Sequence, residues 1–325
     1  MEASEKCAWC DAPKVPGPVC PKCGADYAKA AAIKQHGRAT VAAPQPAPAA
    51  APAAGFSMEV VSSATGGIED PALERTLRRW ALPAMLTGAF TIQLTGFGAA
   101  LQRIVLGMPV HELGHATVAW FCGYNAIPTV WKTITASERG LAATVLVFAG
   151  IVALYNYGRR TLRSGWRVFA AGLLILQVTG TFLVGERTAD ELIVFGGDAG
   201  GMVLATLLMG SFYFGSDTQL YRGGLRWGFL FIGAAAFADM FMTWWRALGD
   251  RLAVPYGLTG GEPTDAFKLI NYHTWSWEQL IARHVAVGVI CLVVLFVLYA
   301  WGLRQANRLI EAKAKQEAVA DSALA

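Results

Sequence analysis

The sequence predicts an all-α polytopic membrane protein, with six or seven transmembrane or re-entrant helices behind a small N-terminal zinc ribbon. Three observations predict this fold class. Hydrophobic residues make up 54% of the chain and charged residues only 15%, whereas soluble domains average about 25% charged residues. Long apolar runs recur from residue 81 onward. Two Cys-x-x-Cys pairs precede all of these runs.

The predicted zinc ribbon occupies residues 1–30. The pairs Cys7-Ala-Trp-Cys10 and Cys20-Pro-Lys-Cys23 are separated by nine residues. This spacing suits tetrahedral coordination of a structural Zn²⁺ by four thiolates. Two disulfides or a redox pair are the alternative, which a reducing compartment would exclude.

An Ala/Pro-rich linker over residues 31–70 follows the ribbon. Residues 39–54 are almost wholly Ala and Pro, a composition that gives a semi-extended chain without a packed core. The linker therefore tethers the ribbon, which is free to bind a protein partner. We predict a membrane-embedded domain over residues 71–310 and a cytoplasmic tail over residues 311–325.

The membrane domain contains seven apolar runs of roughly the length that a bilayer requires. They are residues 81–102, 107–123, 141–157, 168–184, 199–215, 227–245 and 284–303. We interpret Cys122 and Cys291, which lie in such runs, as small buried hydrophobic residues. Asp239 and His284 are candidate polar residues inside the membrane, and packing or interfacial roles are expected for both.

The charges between these runs predict the orientation. Residues 158–167 carry four arginines and no acid, whereas residues 185–198 are mainly acidic. The positive-inside rule then places both termini in the cytoplasm, and we predict a multi-pass protein of a bacterial cytoplasmic membrane. Seven full crossings would separate the termini, so either one segment is re-entrant or the charge rule fails for one short loop. Residues 107–123, with the hairpin-like stretch 124–140, are the candidate. The net charge of +4 gives no reason to expect nucleic-acid binding.

The sequence His111-Glu112-Leu-Gly-His115 is the main candidate for chemistry. Residues i and i+4 share one face of a helix, so both imidazoles can bind one Zn²⁺ while Glu112 reaches the metal-bound water. Ionisable groups in so apolar a segment are expensive unless a metal or a partner offsets their desolvation. The pattern therefore predicts a catalytic zinc site, in addition to the structural zinc of the ribbon.

A catalytic zinc of this kind needs a third protein ligand. The stretch Phe195-Gly-Gly-Asp198-Ala-Gly-Gly offers a carboxylate at the start of an apolar helix. Its glycines allow close approach of backbone and neighbouring helices. We predict that Asp198 is this ligand.

Residues 105–215 resemble the site-2 protease family of intramembrane zinc metalloproteases. The resemblance rests on HELGH in a membrane segment, the Gly/Pro-containing hairpin region and a later Asp motif. It implies that His111, His115 and Asp198 bind zinc and that Glu112 activates water. The implied activity is peptide-bond hydrolysis in membrane-anchored protein substrates within the lipid bilayer.

Three alternatives stay open. Glu186-Arg-Thr-Ala-Asp190 resembles the signature of CAAX-prenyl proteases and HtpX-like membrane metalloproteases, which would make Glu186 the third ligand. A proteolytically inactive zinc-binding scaffold or sensor is another possibility, although zinc binding alone does not need Glu112. A transporter would require further charges along a membrane pathway.

Overall fold

The computed structural model describes residues 70–215, 218, 224–259 and 261–324, together with positions 6, 13, 15–17, 20, 22 and 27. The chain divides into two units, Met1–Met58 and Glu59–Ala325. In the first unit, Lys6 and Pro13 form an antiparallel bridge, and Cys20 is buried beside Tyr27. Most of the predicted ribbon and linker, including Cys7, Cys10 and Cys23, lies outside the described residues.

The second unit is mainly helical, as predicted. Its long elements in chain order are α1 (Pro71–Ile92), α2 (Gly96–Gln102), α3 (Met108–Phe121), β1 (Tyr124–Pro128), β2 (Thr133–Arg139), α4 (Leu141–Arg160), α5 (Ser164–Val178), α6 (Glu186–Phe195), α7 (Asp198–Gly210), α8 (Leu225–Ala247), β3 (Leu258–Thr259), β4 (Glu262–Pro263), α9 (Asp265–Asn271) and α10 (Trp277–Leu324). Single π-helical turns cover Arg103–Gly107 and Thr179–Leu183.

Among the described residues, four helices are long and apolar enough to cross a membrane: α4, α5 together with the π-helical turn that follows it, α8 and α10. The number rises to as many as six if each of two bent helix pairs counts as one span. By length and composition, the protein thus has the helices of a multi-pass membrane protein. Helix α10 continues without a break to Leu324, so the boundary predicted at residue 310 is not marked by a helix end.

The segment that carries HELGH belongs to one of these bent pairs. The predicted run 81–102 is not one helix, because α1 ends at Ile92 and the next helix begins at Gly96 after a bend of 119°. The hydroxyl of Thr95 caps the new helix by accepting a hydrogen bond from the Gly98 amide. Helix α2, the π-turn and α3 then run together as far as Phe121. This geometry is that of a broken span or a re-entrant loop.

The stretch predicted to be hairpin-like, residues 124–140, is a β-hairpin in which β1 and β2 pair antiparallel. Gly123 joins it to α3 with a φ of +84°, a conformation that favours glycine. The indole of Trp120 in α3 donates to the Ala126 carbonyl of β1 at 2.9 Å. The hairpin is therefore fixed directly to the helix that carries the candidate zinc ligands.

Helix α8 forms the centre of the membrane unit. In its most apolar window 61% of the residues are buried, against 17% for α4 and for α5. Its buried side chains include Phe237, Met240 and Trp244. A largely apolar helix with most of its side chains buried belongs inside a bundle, whereas α4 and α5 present apolar side chains outward, as lipid-facing helices do. Cys122 and Cys291 are both buried, as predicted.

A buried ionic cluster joins α1, α8 and α10. Glu74 accepts from Arg78 at 2.8 Å and from Arg226 at 3.0 Å, and Arg78 also reaches the Gly302 carbonyl at 3.3 Å. Arg78 is only 1% exposed. Its charge is satisfied inside the protein and stabilises the contact between these three helices.

Candidate metal centre

Helix α3 presents His111 and His115 on one buried face. The two residues are one turn apart, and their ring centroids are 4.7 Å from each other at an interplanar angle of 87°. His111 is 7% exposed and His115 is 9% exposed. The shared face predicted from the spacing is therefore present.

The hydrogen bonds of the two rings determine which nitrogen atoms remain for a ligand. His111 Nδ1 lies 2.8 Å from Asp198 Oδ1, and His115 Nδ1 lies 2.6 Å from the carbonyl oxygen of Ile193. A carboxylate and a carbonyl can only accept, so each Nδ1 carries the hydrogen and donates it. Each Nε2 then presents a lone pair, and the two Nε2 atoms are 3.2 Å apart.

A second carboxylate, that of Asp265, completes this group. Its Oδ2 lies 3.0 Å from His115 Nε2 and 3.2 Å from His111 Nε2. The three atoms form a nearly equilateral triangle, close to the edge of about 3.3 Å expected for a tetrahedral Zn²⁺ at 2.0–2.1 Å from each ligand. Among the described residues, one group of side chains could hold a metal ion: His111, His115 and Asp265.

Asp265 is positioned by the start of helix α9. The side chain of Thr264 caps this helix by accepting from the Phe267 amide. Its position at the leading end of α9 places the Asp265 carboxylate beside both Nε2 atoms.

Asp198 occupies a different position from the one that the ligand prediction requires. Its Oδ1 accepts from Nδ1 of His111, and its Oδ2 accepts from the indole of Trp244 at 2.8 Å. It lies behind the His111 ring rather than beside the Nε2 atoms, because α7 begins next to the far edge of that ring. Such a carboxylate fixes the tautomer and orientation of a metal-binding imidazole. Glu186 is exposed at the start of α6 and is not in the metal-binding group either.

Arg103 balances the buried charge of Asp198. Its Nη1 lies 3.3 Å from Asp198 and 3.0 Å from Asp239 in α8. It stands at the start of the π-helical turn that ends at Gly107. Gly107 leaves no room for a side chain, since a Cβ there would be 2.2 Å from Asp239 Oδ2. Asp239, 4% exposed, is thus a packed polar residue with a defined partner.

The glycines of HELGH and of the Gly-Gly-Asp-Ala-Gly-Gly stretch have a steric explanation. A Cβ on Gly114 would lie 2.4 Å and 2.6 Å from the carbonyl oxygens of Gly196 and Gly197. A Cβ on Gly197 would lie 2.5 Å from His115 Nε2. These glycines let the backbones of α3 and α7 approach, as predicted, and leave room for the rings of His111 and His115.

Glu112 projects from the same helix and lines the same cavity as the two histidines. The hydroxyl of Thr133, the first residue of β2, lies 2.8 Å from Glu112 Oε2 and 2.7 Å from the Glu112 carbonyl oxygen. The cavity measures about 1120 Å³ and is bordered by α3, β2, α6, α9 and α10. The motif thus faces a space that can receive a substrate.

Nothing in the sequence connects Asp265 to HELGH. It lies in the long loop between two apolar runs, 150 residues from His115. The only local signal is a Pro-Thr-Asp sequence, which is typical of the start of a helix. Spacing rules identify ligands on one helix and give no information about a ligand from a separate loop.

Comparison of the chain with protein families, with curated proteins and with solved structures gave no match.

Proposed function

We propose that this protein is a zinc-dependent peptide hydrolase whose active site lies in the membrane-embedded unit. One observation carries the proposal. Two imidazole lone pairs and a carboxylate oxygen meet within 3.0–3.2 Å of one another, and the hydrogen bonds of His111 and His115 leave no ring hydrogen between them. Three acceptors so close together repel unless a cation lies among them.

The ligand set fits zinc. Two imidazoles, one carboxylate and a water molecule are a common arrangement of a catalytic site. The same side chains can also bind non-haem Fe(II) for oxygenase chemistry. Glu112, which is next to His111 in the chain and faces the same cavity, favours hydrolysis, because oxygenase chemistry does not require a base at that place.

A zinc ion held by His111, His115 and Asp265 would supply Lewis-acid polarisation of the scissile carbonyl and would lower the pKa of the attacking water. Glu112 accepts the proton of the attacking water and donates it to the leaving amine as the C–N bond breaks. Thr133 orients the Glu112 carboxylate. Asp198 and Ile193 hold the two imidazoles so that the Nε2 atoms face the cavity.

The cavity favours a peptide as substrate. Its volume of about 1120 Å³ exceeds the range of roughly 300–1,000 Å³ that is typical of small-ligand sites. Residues 133–137 of β2 line it. Among the described strands β2 pairs only with β1, so its other edge offers backbone donors and acceptors to an extended chain. We propose membrane-anchored proteins as substrates, with both termini of the enzyme in the cytoplasm.

The test combines metal analysis with proteolysis in detergent. Glu112→Gln is expected to retain wild-type zinc content and to lose cleavage of an unfolded protein such as casein. His111→Ala is expected to lose one zinc, and the predicted ribbon zinc is expected to remain. Full proteolysis by the Glu112→Gln variant would refute the proposal. Normal zinc content without any wild-type cleavage would favour the inactive scaffold or sensor.

A second comparison identifies the third ligand. Asp265→Ala is expected to lose the same zinc as His111→Ala, whereas Glu186→Ala, an exposed carboxylate at the edge of the same cavity, is the matched control and retains it. If Glu186→Ala lost the zinc and Asp265→Ala retained it, the alternative ligand assignment would replace ours.

A further inference from the structure

A third histidine, His284, lines the cavity that contains the candidate metal centre. It stands in α10, about two turns after the start of that helix, and is only 2% exposed. It is not a member of the metal-binding group. A buried imidazole inside a membrane helix requires an explanation, since its polar atoms are costly to remove from water.

Packing fixes the orientation of the His284 ring. Trp244 stacks on one face, with ring centroids 3.7 Å apart and an interplanar angle of 9°. Phe195 contacts the ring edge-on at 4.6 Å. Trp244 also donates to Asp198, so the same indole positions His284 and the carboxylate that orients His111.

The two nitrogen atoms of His284 have different environments. Nδ1 lies 2.8 Å from the carbonyl oxygen of Leu280 in the preceding turn of α10, and therefore carries the hydrogen and donates it. Nε2 has no hydrogen-bond partner among the described residues. It is absent from the fully enclosed polar atoms without a partner in that part of the chain, so some of its surface is accessible. With Nδ1 occupied and one ring face covered, the edge that carries Nε2 is the part that borders the cavity.

We propose that His284 Nε2 is a peptide-binding group, which accepts a hydrogen bond from one backbone N–H of the chain bound in the cavity. This inference rests on the proposed function and extends it to a contact with the substrate. In the neutral tautomer fixed by Leu280, Nε2 is an acceptor, and the backbone N–H groups of an extended peptide are the donors that such a substrate always provides. The stacked position of the ring means that little conformational entropy is lost when the bond forms.

The test uses an apolar, internally quenched peptide in detergent micelles and a series in which one backbone nitrogen at a time is methylated. In the wild type, methylation of one particular nitrogen is expected to lower kcat/KM roughly 3- to 10-fold, the effect of one neutral hydrogen bond. His284→Phe keeps an aromatic ring against Trp244 and is expected to raise KM by a similar factor. In this variant methylation of that same nitrogen should have no further effect.

His284→Gln and His284→Met have side chains of similar length, and only that of Gln carries a hydrogen-bond acceptor. This pair replaces the Phe variant in the test if that variant does not fold. The Gln variant is expected to remain sensitive to methylation and the Met variant to be insensitive. Zinc content should equal the wild type in all three. Two results would overturn the proposal and indicate that Nε2 only holds a water molecule. One is a wild-type KM in the Met variant. The other is that, at every methylated position, the fold-change caused by methylation is the same in the variant as in the wild type.

The peptide series is also titrated against the Glu112→Gln protein by fluorescence anisotropy, which measures binding without turnover. Failure of the wild type to cleave any peptide would count against the proposed hydrolase. The inference about His284 has a separate test in these binding data. It holds if methylation of one nitrogen weakens peptide binding to the Glu112→Gln protein and no longer does so after His284 is also replaced.

Discussion

Substitution of Gly197 by alanine tests the metal-site geometry without touching a ligand. A Cβ at this position would lie 2.5 Å from His111 Cε1 and 2.5 Å from His115 Nε2, about 1 Å short of an ordinary contact of roughly 3.5 Å. Gly197 has φ −55° and ψ −77°, a helical conformation that alanine adopts without backbone strain. Any effect therefore comes from the added methyl group.

The expected loss of metal affinity follows from these distances. The rings can relieve the overlap only by moving by several tenths of an ångström, whereas metal sites tolerate deviations of about 0.2 Å in ligand distance. Overpacking of this kind costs about 1–3 kcal/mol, so zinc affinity should fall roughly 5- to 150-fold. A chelator competition titration, read by zinc retained per chain, measures this shift against the His111→Ala variant.

Gly200→Ala is the matched control, three residues further along the same glycine-rich stretch. A Cβ on Gly200 would lie 3.3 Å from the nearest atom, the Gly114 carbonyl oxygen, and a shift of a few tenths of an ångström relieves this tight contact. This variant should lose less zinc affinity than Gly197→Ala. If folded Gly197→Ala protein retained zinc within a factor of about two of the wild type, the positions assigned to the two rings would be incorrect.

Three further predictions concern neighbouring contacts. Asp198→Asn keeps the shape of the side chain but removes the charge behind His111. It should weaken zinc binding about 10- to 100-fold in the same chelator titration. An unchanged midpoint would contradict the role of Asp198 in orienting the His111 ring. Gly114→Ala should lower the melting temperature, because its Cβ would meet the Gly196 carbonyl oxygen, between α6 and α7, at 2.4 Å and backbone yields less easily than a side chain. Leu113→Ala, at an exposed site, is the control, and equal melting of the two variants would refute the close approach. Lys132 bonds Glu262 at 2.5 Å across the cavity mouth and lowers the pKa of Glu262 through this hydrogen bond and its charge. The pair should therefore persist above the ordinary glutamate pKa of about 4.3 and be lost as pH falls through the lowered value, which the distance between spin labels on the two turns would show.

The sequence predicted the helical elements well where composition and periodicity are local signals. The apolar run predicted at residues 227–245 lies within one long helix, Leu225–Ala247. Residues 124–140 read as a hairpin and form one. The bend of 119° after Ile92 was not predicted, because residues 81–102 are apolar on both sides of it. Hydropathy records the preference for lipid and gives no information on direction.

The candidate metal centre likewise has features that the sequence predicted and features that it could not predict. The helical spacing of His111 and His115 placed both rings on one face, because residues four apart on a helix are neighbours whatever surrounds them. The glycines around Asp198 indicated a close approach of two backbones, which the structure contains. The hydrogen bond from His111 to Asp198, by contrast, depends on which edge of the ring α7 meets.

By itself, the sequence determined the apolar, multi-pass character of the chain, the pair of imidazoles on one helix face and the glutamate beside them, because each of these follows from composition or from residues close together along the chain. Only the tertiary structure decided that Asp265 meets the two Nε2 atoms, that Asp198 stands behind them, and that His284 borders the same cavity. These residues come from separate loops and helices, and their distances depend on how the segments pack, which no local pattern encodes.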